Sequence, residues 1–376
     1  MKAVFWISAG LIAYPYAIYP LLLLLMNRLA RRQPHEARSS HQPTVSIVLP
    51  VHNEARRIEA KIHNVLQLDY PADRVQLLVI GDACTDDTLA RARAVGGKSI
   101  ETYNLLKREG KAAALNEALK RATGEIVVFT DAAIMLEPGS LAKLVGHFHD
   151  PAIGCVSGED YVEGGGSEGL YGRLELLLRR EEALAHSIAG ASGCFYAQRR
   201  ELCTPFRAGM APDFLSVLNV VRSGHRALAE PQARGSMTAT KSQSAEFTRK
   251  VRTFLRGITA LFGNLKLMNP VAFPTFSFIL ISHKLMRWLG PVPMIACLVS
   301  SWLLRADPLY AVMFWGQITL YAAAVVGILS PALADRVTLV RLSAFFVLVN
   351  IAALKALLQW SVGVRLEVWE PTRRPQ

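Results

Sequence analysis

Apolar residues are concentrated at the two ends of the chain, and the middle alternates short apolar runs with polar turns. The first run, 3–26, contains only apolar, aromatic and small residues apart from Ser8, and it is long enough to cross a bilayer as a helix. From residue 269 onward the chain is apolar again. We identify further candidate spans at 288–304, 308–329 and about 339–360. A soluble domain between membrane segments is therefore expected.

Charged and polar stretches set the boundaries between these segments. Arginines follow the first apolar run at Arg28, Arg31, Arg32 and Arg38. By the positive-inside rule, the domain that follows lies in the cytoplasm. The predicted organisation is an N-terminal transmembrane helix at 1–27, a basic linker at 28–43, the soluble domain at 44–268, an interfacial or re-entrant segment at 269–287, transmembrane helices at 288–362 and a polar tail at 363–376.

The orientation of the C-terminus stays open at this stage. Three spans after the domain would place the C-terminus outside the cell. Its arginines, Arg365, Arg373 and Arg374, favour the inside.

Between residues 44 and 268, strand-like runs alternate with helical periodicity. Strands are predicted at 45–51, 75–80, 99–105 and 126–130, with helices at 55–66 and 111–121. This alternation predicts an α/β domain with a mostly parallel, doubly wound sheet. The later part of the domain is predicted to hold a strand at 153–159 and amphipathic helices at 170–188 and 246–257.

Polar residues stand where several of these predicted strands end. They are Asn53 and Glu54, Asp82, and Asp131. Ligands of open α/β sheets bind in the crevice beyond the carboxyl ends of the strands, so these residues indicate a nucleotide-sized crevice. Asp131 is there placed to hold a metal ion or a sugar phosphate. Taken alone, Asp131 is also compatible with capping the turn that follows it.

Composition narrows the class of protein. Hydrophobic residues make up 51% of the chain, charged residues 19%, and the net charge is +12. The basic residues form no patch interleaved with aromatic residues, which argues against a nucleic-acid partner, and many flank apolar runs where anionic headgroups attract them. The five cysteines show neither paired nor CxxC spacing, so no disulfide framework and no zinc site is expected.

Five short motifs carry a resemblance to a known family. They are VSIVLPVHNE at 45–54, GDACTDDT at 81–88, GKAAALN at 110–116, FTDAA at 129–133 and APDF at 211–214. Their order and spacing resemble membrane-bound inverting glycosyltransferases of family 2, which include bacterial exopolysaccharide synthases and cellulose-synthase-like enzymes. The resemblance covers residues 44 to 265. It implies a GT-A fold, the fold of nucleotide-diphospho-sugar transferases, flanked by transmembrane helices.

The resemblance implies roles for the matched positions on the donor side. Pro50, Asn53 and Glu54 would line the nucleoside pocket, Asp82 would contact the base, Lys111 would lie beside the nucleotide, and Arg249 and Arg252 would lie near the diphosphate. Asp131 matches the first acid of the DxD motif, which holds a divalent ion, Mg²⁺ or Mn²⁺, together with the sugar diphosphate. The nucleotide-sugar donor is expected to be UDP-linked.

On the acceptor side, Gly190, Ser192 and Gly193 match the segment that faces the acceptor. Asp213 matches the last acid of the ED or TED motif, the general base. A positioned base is needed because the pKa of a sugar hydroxyl lies far above neutral. A single carboxylate opposite the leaving group implies direct displacement with inversion, since a covalent retaining route wants a second carboxylate close by.

The sequence departs from the family pattern at several positions. Ala133 stands where the second acid of DxD is usual, Gly81 replaces the first acid of a DD pair, and Pro212 precedes Asp213 in place of an acid. The basic motif around Arg249 lacks the usual glutamine and tryptophan. We therefore expect one or a few sugar additions, with the metal held by Asp131 alone or with help from the substrate.

These observations predict an integral protein of a bacterial inner membrane with its catalytic domain in the cytoplasm. It would transfer a sugar from a nucleotide donor to a lipid-linked or membrane-proximal glycan acceptor, alongside partners of a polysaccharide assembly system. Two alternatives stay open. The acceptor is a polyprenyl phosphate in the first, and in the second the domain binds a nucleotide-sugar without catalysis and serves as a membrane scaffold.

Overall fold

An eight-stranded sheet runs through the central part of the chain. The computed structural model describes residues 1–38, 40–163, 168–238 and 243–366. The strands are β1 (Val45–Val51), β2 (Val75–Gly81), β3 (Ile100–Asn104), β4 (Ile126–Thr130), β5 (Met135–Leu136), β6 (Ile153–Glu163), β7 (Phe195–Arg199) and β8 (Arg226–Thr238). Their spatial order is β3-β2-β1-β4-β7-β6-β8-β5.

Helices flank the sheet and form both ends of the chain. In chain order they are α1 (Lys2–Ala13), α2 (Tyr19–Leu29), α3 (Ile58–Leu66), α4 (Thr88–Gly96), α5 (Lys111–Arg121), α6 (Ser140–Val145), α7 (Glu168–Ala185), α8 (Pro212–Arg222), α9 (Gln243–Phe262), α10 (Pro274–Leu280), α11 (Met286–Trp288), α12 (Pro291–Leu303), α13 (Pro308–Leu329), α14 (Pro331–Arg336) and α15 (Thr338–Ser361). Single π-helical turns at Tyr14–Ile18 and Ile281–Leu285 continue α1 into α2 and α10 into α11.

The half of the sheet that contains β1 to β4 is parallel, as the alternation of strands and helices predicts. Val45 of β1 pairs with Val75 of β2 on one side and with Ile126 of β4 on the other, so β1 lies inside the sheet. Every residue of β1 and β4 is buried, which is why both strands read as continuous apolar runs. The carboxyl ends of these strands meet at one edge.

The other half of the sheet adds antiparallel pairs. β7 runs antiparallel to both β4 and β6, β6 pairs in parallel with β8, and β5 runs antiparallel to β8. β8 was not among the predicted strands, because Pro231 and several charged residues interrupt its apolar pattern. Its pairing with β6 is irregular at two points. The predicted α/β class is confirmed, and the sheet is mixed.

Within the described ranges, three helices are long and apolar enough to cross a membrane: Lys2–Leu29, Pro308–Leu329 and Thr338–Ser361. They coincide with three of the predicted spans. Large apolar side chains such as Trp6, Leu21 and Trp315 are exposed on them, and lipid suits such surfaces better than water. The first helix accommodates Pro15 and Pro20 through its π-helical turn. We infer association with a membrane.

The predicted span at 288–304 is shorter in the structure. The helix found there, α12, has 13 residues. At about 1.5 Å per residue it reaches about 20 Å, less than the ~30 Å hydrocarbon core of a bilayer. Gly290 and Pro291 begin this helix, because proline is tolerated in the first turn. The candidate spans after the domain therefore number two among the described residues.

The segment predicted as interfacial or re-entrant, 269–287, is docked on the domain. It forms the helix that runs from Pro274 to Trp288 through α10, the π-helical turn and α11. Phe276 and Trp288 belong to the apolar core of the domain, and Ile279 packs in a cluster with Tyr19 of α2. The segment thus lies between the domain and the first apolar helix.

The basic linker contacts the domain, as does Leu366 of the predicted tail, whose carbonyl accepts from Arg256 at 3.2 Å. Arg32 in the basic linker donates to the carbonyl of Ala185 at the end of α7, and the Arg38 N–H donates to the Gly146 carbonyl at 3.1 Å. Of the predicted tail at 363–376, residues 367–376 lie outside the described ranges.

Candidate active site

Asp82 is a buried carboxylate that fixes the start of α5. It is 1% exposed, and it accepts hydrogen bonds from the backbone N–H groups of Glu109 at 2.8 Å and Gly110 at 2.9 Å. Gly110 has φ of 87°, which glycine adopts without the steric cost that a Cβ brings. Asp82 therefore holds the turn that presents Lys111. Its predicted contact with a base stays a prediction.

Pro50, Asn53 and Glu54 lie at the end of β1. Pro50 is buried in the strand, and Asn53 follows with φ of 52°. The Asn53 side chain accepts from the Thr85 N–H at 2.9 Å and donates to the Thr85 hydroxyl at 3.1 Å. Burial raises the pKa of Glu54, and the opposing charge of Arg57 at 3.3 Å limits that rise. The hydrogen bonds between Asn53 and Thr85 thereby join the turn that follows β1 to the turn that follows β2.

Lys111 and Asp131 form an ion pair at the centre of the site. The Lys111 Nζ lies 2.5 Å from Oδ1 of Asp131 and also donates to the Gly193 carbonyl at 3.2 Å. The two side chains are 14% and 23% exposed, so the pair is shielded from water and still open on one side. Burial lowers the pKa of Lys111, but the adjacent carboxylate of Asp131 outweighs it, so the pKa lies above its ordinary value. Lys111 is therefore charged at neutral pH.

Asp213 lies in the first turn of α8 and faces the acceptor-side segment. Its carboxyl atoms lie 3.8 to 4.0 Å from the position that a Cβ of Gly193 would occupy. Pro212 precedes it at the helix start, where its fixed φ and missing N–H are tolerated. Burial raises the pKa of Asp213, and the charge of Lys111 opposes that rise. The structure thus brings the proposed base close to the Lys111–Asp131 pair.

The acceptor-side segment is anchored through Ser192. Its backbone N–H donates to the Ser157 hydroxyl at 2.8 Å, and its own hydroxyl accepts from the N–H groups of Cys194 and Phe195 at 3.2 Å each. At the start of the segment, a Cβ on Gly190 would lie 3.6 Å from the Lys284 Nζ. Because Gly190 and Gly193 have no side chains, the backbone of this segment lies directly next to Lys284 and Asp213.

Cations outside the five motifs also contribute to the electrostatic environment of Asp213. Lys284, Arg179 and Arg256 are each electrostatically coupled to it. Arg256 lies one helical turn beyond Arg252 on α9, and burial lowers its pKa to about 10. The four-residue spacing from Arg252 was a usable signal for Arg256. No sequence pattern singles out Lys284, because only the folded chain brings its segment to the site.

The arginines predicted to contact the diphosphate lie on α9. Arg249 donates through Nε and Nη2 to Glu246, one turn earlier on the same helix, at 2.8 and 2.7 Å. Arg252 is electrostatically coupled to Arg256. Their contact with a diphosphate remains a prediction, whereas Arg256 is electrostatically coupled to Asp213, the proposed base.

A buried network ties the acceptor-side segment to the first apolar helix. Glu182 of α7 accepts from the Tyr19 hydroxyl at 2.8 Å and from the backbone N–H of Ala189 at 2.8 Å. It also pairs with Nδ1 of His283 at 2.6 Å. Because Ala189 directly precedes Gly190, this network fixes the segment relative to a helix that is long enough to cross a membrane.

Asp131 offers one carboxylate to the predicted Mg²⁺ or Mn²⁺. Across the described ranges, no group of three or more His, Cys, Asp and Glu side chains is arranged to hold a metal ion. Mg²⁺ usually takes one or two protein carboxylates plus phosphate oxygens. The residues present therefore fit an ion that is shared with a bound diphosphate, and they do not form a cage made of protein ligands alone.

Comparison with solved structures identifies the class of fold. A mannosyltransferase from Pyrobaculum calidifontis, solved in complex with GDP-Man and Mn²⁺, matches with a TM-score of 0.72 at 25% identity. The match covers 93% of this chain and 99% of that chain. The domain therefore has the GT-A fold of nucleotide-diphospho-sugar transferases, and the likeness extends into the apolar helices.

Comparison of sequences identifies the family. The profile of Glycosyl transferase family 2 matches residues 46–204. Poly-beta-1,6-N-acetyl-D-glucosamine synthase from Staphylococcus aureus (strain COL) is 26% identical over 161 residues, which are 40% of this chain and 38% of that protein. The enzyme of the same name from Staphylococcus epidermidis is 26% identical over 170 residues, 42% of this chain and 40% of that protein. The match thus spans about two-fifths of these relatives' length. Over residues 46–204 the chain is therefore similar to glycosyltransferases of family 2.

Proposed function

We propose that this protein transfers a sugar from a nucleotide-sugar donor to a hydroxyl group of a lipid-linked or membrane-proximal glycan acceptor, with inversion at the anomeric carbon. One observation carries the proposal. The Lys111–Asp131 pair, 2.5 Å apart, and the carboxyl group of Asp213 lie on the two sides of Gly193. This arrangement supports a diphosphate site and a base for a hydroxyl next to each other.

The donor half of the reaction is assigned to the strand ends. Asp131 would hold the divalent ion together with the diphosphate, and Lys111 lies beside it as a fixed positive charge. The bound ion would supply charge compensation for the departing diphosphate. The mannosyltransferase that this chain resembles was solved with GDP-Man and Mn²⁺, which supports a nucleotide-sugar and a divalent ion here.

The acceptor half is assigned to Asp213. The acceptor oxygen forms a bond to the anomeric carbon while the bond from that carbon to the diphosphate oxygen breaks and its electron pair leaves with the diphosphate. The hydroxyl proton passes to the Asp213 carboxylate. Burial raises the pKa of Asp213, which makes it a better proton acceptor than an exposed aspartate. Attack from the face opposite the leaving group gives inversion.

The location of the reaction follows from the apolar helices. The arginines that flank the first span support a cytoplasmic domain in a bacterial inner membrane. The two candidate spans that follow the domain within the described residues would return the chain to the same side, in agreement with Arg365. Participation in a polysaccharide assembly system is part of the proposal.

Two donors are put forward. A UDP-sugar is expected from the resemblance of the motifs, and GDP-mannose is favoured by the GDP-Man complex of the structural relative. Membranes that contain the full chain would be supplied with UDP- and GDP-sugars, and the released nucleoside diphosphate and labelled product would be measured. We expect turnover of one donor class with a divalent ion present, and its loss in Asp131→Asn.

The same assay tests the alternatives. Product that partitions into organic solvent indicates a lipid acceptor, including a polyprenyl phosphate. Tight binding of a nucleotide-sugar without turnover of any donor would contradict the proposal and favour the scaffold.

A further inference from the structure

The chain that follows the domain runs back along the first apolar helix. The contacts between the two occur in antiparallel order, to within one helical turn. They are Tyr19 with Phe278, whose ring centroids are 5.7 Å apart, Tyr14 with Ser282, whose hydroxyl oxygens are 2.8 Å apart, Tyr16 with Arg287, Phe5 with Cys297 in one buried cluster, and Lys2 with Asp307 at 3.3 Å. Residues 278–307 therefore accompany residues 2–19 from end to end.

This returning run is one helix with a kink, and its two halves do not fold back on each other. The inner half extends from α10 through the π-helical turn to α11 and ends at Trp288, and the outer half is α12. Leu289 and Gly290, which separate the halves, keep right-handed helical dihedral angles. Across the kink, the Val292 N–H donates to the Leu289 carbonyl at 2.9 Å. The kink occurs where Pro291 has no N–H to donate.

We propose that the segment 274–303 crosses the membrane as one kinked helix beside the first apolar helix. The part of the first helix that it accompanies, from Lys2 to Tyr19, is about 25 Å long at about 1.5 Å per residue, most of the ~30 Å hydrocarbon core of a bilayer. The first helix leads to the domain at its other end, so Asp307, beside Lys2, lies on the membrane face opposite to the domain. Each half of the kinked helix alone is too short to cross.

The outer half of the crossing has a surface suited to acyl chains. α12 contains no Asp, Glu, Lys or Arg. Its opposite side packs on the first helix, where Cys297 joins Phe5. Large apolar side chains are exposed along one face at intervals of three or four residues, at Val292, Ile295, Val299 and Trp302. This face continues the exposed apolar surface of the first helix, so a bilayer is the partner that covers it.

The charged residues of the inner half face the protein. His283 is buried and pairs with Glu182 and Glu175, and Arg287 is buried and binds Glu175. Lys284 lies against the acceptor-side segment. Ionisable groups occur in crossing helices where they are paired and face the interior of the protein. The helix that crosses the membrane therefore also holds the network that reaches the acceptor-side segment.

α13 crosses in the opposite direction. It begins directly after Asp307 and contains 22 residues, which extend about 33 Å. Its first turn contacts the start of the first helix, since the Trp6 Nε1 donates to the Tyr310 hydroxyl at 3.2 Å. Near its other end, a Cβ on Gly327 would lie 2.9 Å from the Cβ of Ala344 in α15. α13 thus leads from the far face back to α15.

α15 lies along the domain in spite of its length. The Lys250 Nζ of α9 lies 5.0 Å from the centroid of the Phe345 ring, and Trp360 stacks on Phe262 of the same helix with centroids 4.4 Å apart. Ala352, between these two contacts, is 0% exposed and belongs to the apolar core of the domain. A crossing helix would carry one of these contacts away from α9. α15 therefore stays on the domain side, although it is long enough to cross.

Helix length alone would assign the crossings after the domain differently. Pro308–Leu329 and Thr338–Ser361 are the long apolar helices there. If these two crossed, Ala306 would lie on the domain side and Thr338 on the far face. The contacts place Ala306 on the far face and Thr338 on the domain side. Both assignments return the C-terminus to the domain side, so these two positions are the ones that distinguish them.

Labelling of single added cysteines with a membrane-impermeant maleimide tests the proposal in spheroplasts that contain the full chain. The native cysteines give a blank, because Cys297 is buried and the others lie in the domain. The added cysteines are Ala306→Cys, Thr338→Cys and Ser361→Cys, all at exposed positions. Lys120→Cys, at a side chain of the domain that is 73% exposed, reports the side on which the domain lies.

We expect Ala306→Cys to be labelled as fully in intact spheroplasts as after the membrane is opened with detergent. Thr338→Cys, Ser361→Cys and Lys120→Cys should gain label only after opening, and the wild type should stay unlabelled in intact spheroplasts. Gel filtration in detergent checks that each variant folds. Arg305→Cys, Val337→Cys and Val362→Cys, at neighbouring exposed positions, replace any variant that does not.

Three patterns in intact spheroplasts would overturn the proposal. Label on Thr338→Cys with Ala306→Cys and Lys120→Cys protected would assign the crossings to α13 and α15. Label on both Ala306→Cys and Ser361→Cys would make α15 a third crossing after the domain. Equal labelling of Ala306→Cys and Lys120→Cys would place both ends of the kinked helix on one side. Because label is read without sugar transfer, an inactive protein would overturn the proposed function and leave this topology standing.

Discussion

The proposed donor side and the proposed acceptor side of the site are built in different ways. On the donor side, the polar residues follow the ends of adjacent parallel strands, and they support one another through short contacts such as Asp82 to the backbone of Gly110. On the acceptor side, Asp213 and Lys284 come from separate helices. The glycine segment between them follows Ala189, whose N–H donates to Glu182, and Glu182 in turn accepts from Tyr19.

The two sides therefore depend on different parts of the fold. The strand-end residues assigned to the donor side depend on the sheet, whose register is set by buried apolar runs, and they lie within residues 45 to 131. The acceptor side depends on the docking of α7, the segment from Pro274 to Trp288 and the first apolar helix. Disturbing the membrane-side contacts should therefore affect acceptor use before donor use.

The largest effect is expected at Asp213. Asp213→Asn removes the base and keeps the shape, so the rate of sugar transfer should fall by about 10²–10⁴ while the affinity for the donor is retained. Measurement of kcat and of nucleotide binding checks both parts. Asp87→Asn is the matched control, because Asp87 also lies at a helix start but is 52% exposed and paired with Arg91. Equal losses in the two variants would remove the assignment of Asp213.

The next effect concerns the link to the first apolar helix. Glu182→Ala leaves the Tyr19 hydroxyl, the Ala189 N–H and His283 without their buried acceptor, so the free energy of unfolding should fall by about 3–5 kcal/mol. Tyr19→Phe removes one hydrogen bond and should cost about 1 kcal/mol. Denaturant unfolding in detergent measures both.

Kinetics of the same variants sharpen the comparison of the two sides. Tyr19→Phe should raise the KM for the acceptor more than the KM for the donor. An equal rise in both constants would show that the two sides are not separable. Glu125→Ala, at a side chain that is 54% exposed, should leave stability and both constants near the wild-type values.

A smaller effect is expected from Lys61, a buried lysine of α3 that is electrostatically coupled to Asp131. Lys61 is 0% exposed and donates to the Ile134 carbonyl at 2.7 Å, and burial lowers its pKa to about 7. The unfolded chain, with a lysine pKa of about 10.4, binds more protons between these values, so stability should rise from about pH 7 to pH 10, by up to about 1.4 kcal/mol per unit. Unfolding measured at several pH values should show this slope in Lys120→Met and lose it in Lys61→Met. A slope that survives in Lys61→Met would exclude Lys61 as its source.

The smallest effect tests whether Lys111, which is assigned to the donor side, also influences Asp213 on the acceptor side. Its charge opposes the rise in the pKa of Asp213 that burial causes. A base must be ionised to act, so activity is lost as the pH falls through the pKa of Asp213. Lys111→Met should move this acid limb of kcat/KM for the acceptor upward by about one pH unit, and Lys111→Arg should move it little. An unchanged limb in Lys111→Met would confine Lys111 to the donor.

Several parts of the fold were predictable because their determinants are local. β1 at 45–51 and α5 at 111–121 have the bounds that the sequence predicts, since one is an unbroken apolar run and the other an alanine-rich helix after a glycine. β8 was missed because it holds charged residues and Pro231. The span at 288–304 was overestimated because its apolar run is divided between α11 and α12 by Leu289 and Gly290.

The sequence by itself determined the parallel half of the sheet and the acids at its edge, because strand patterns and motif spacing are properties of neighbouring residues. Through five motifs in order, it also indicated the similarity to glycosyltransferases of family 2. The tertiary structure alone decided which cations surround Asp213. Lys284 and Arg179 are both electrostatically coupled to Asp213 because apolar burial docks α7 and the segment after residue 274 against the first apolar helix. Electrostatic contacts between residues a hundred positions apart leave no periodic trace in a sequence.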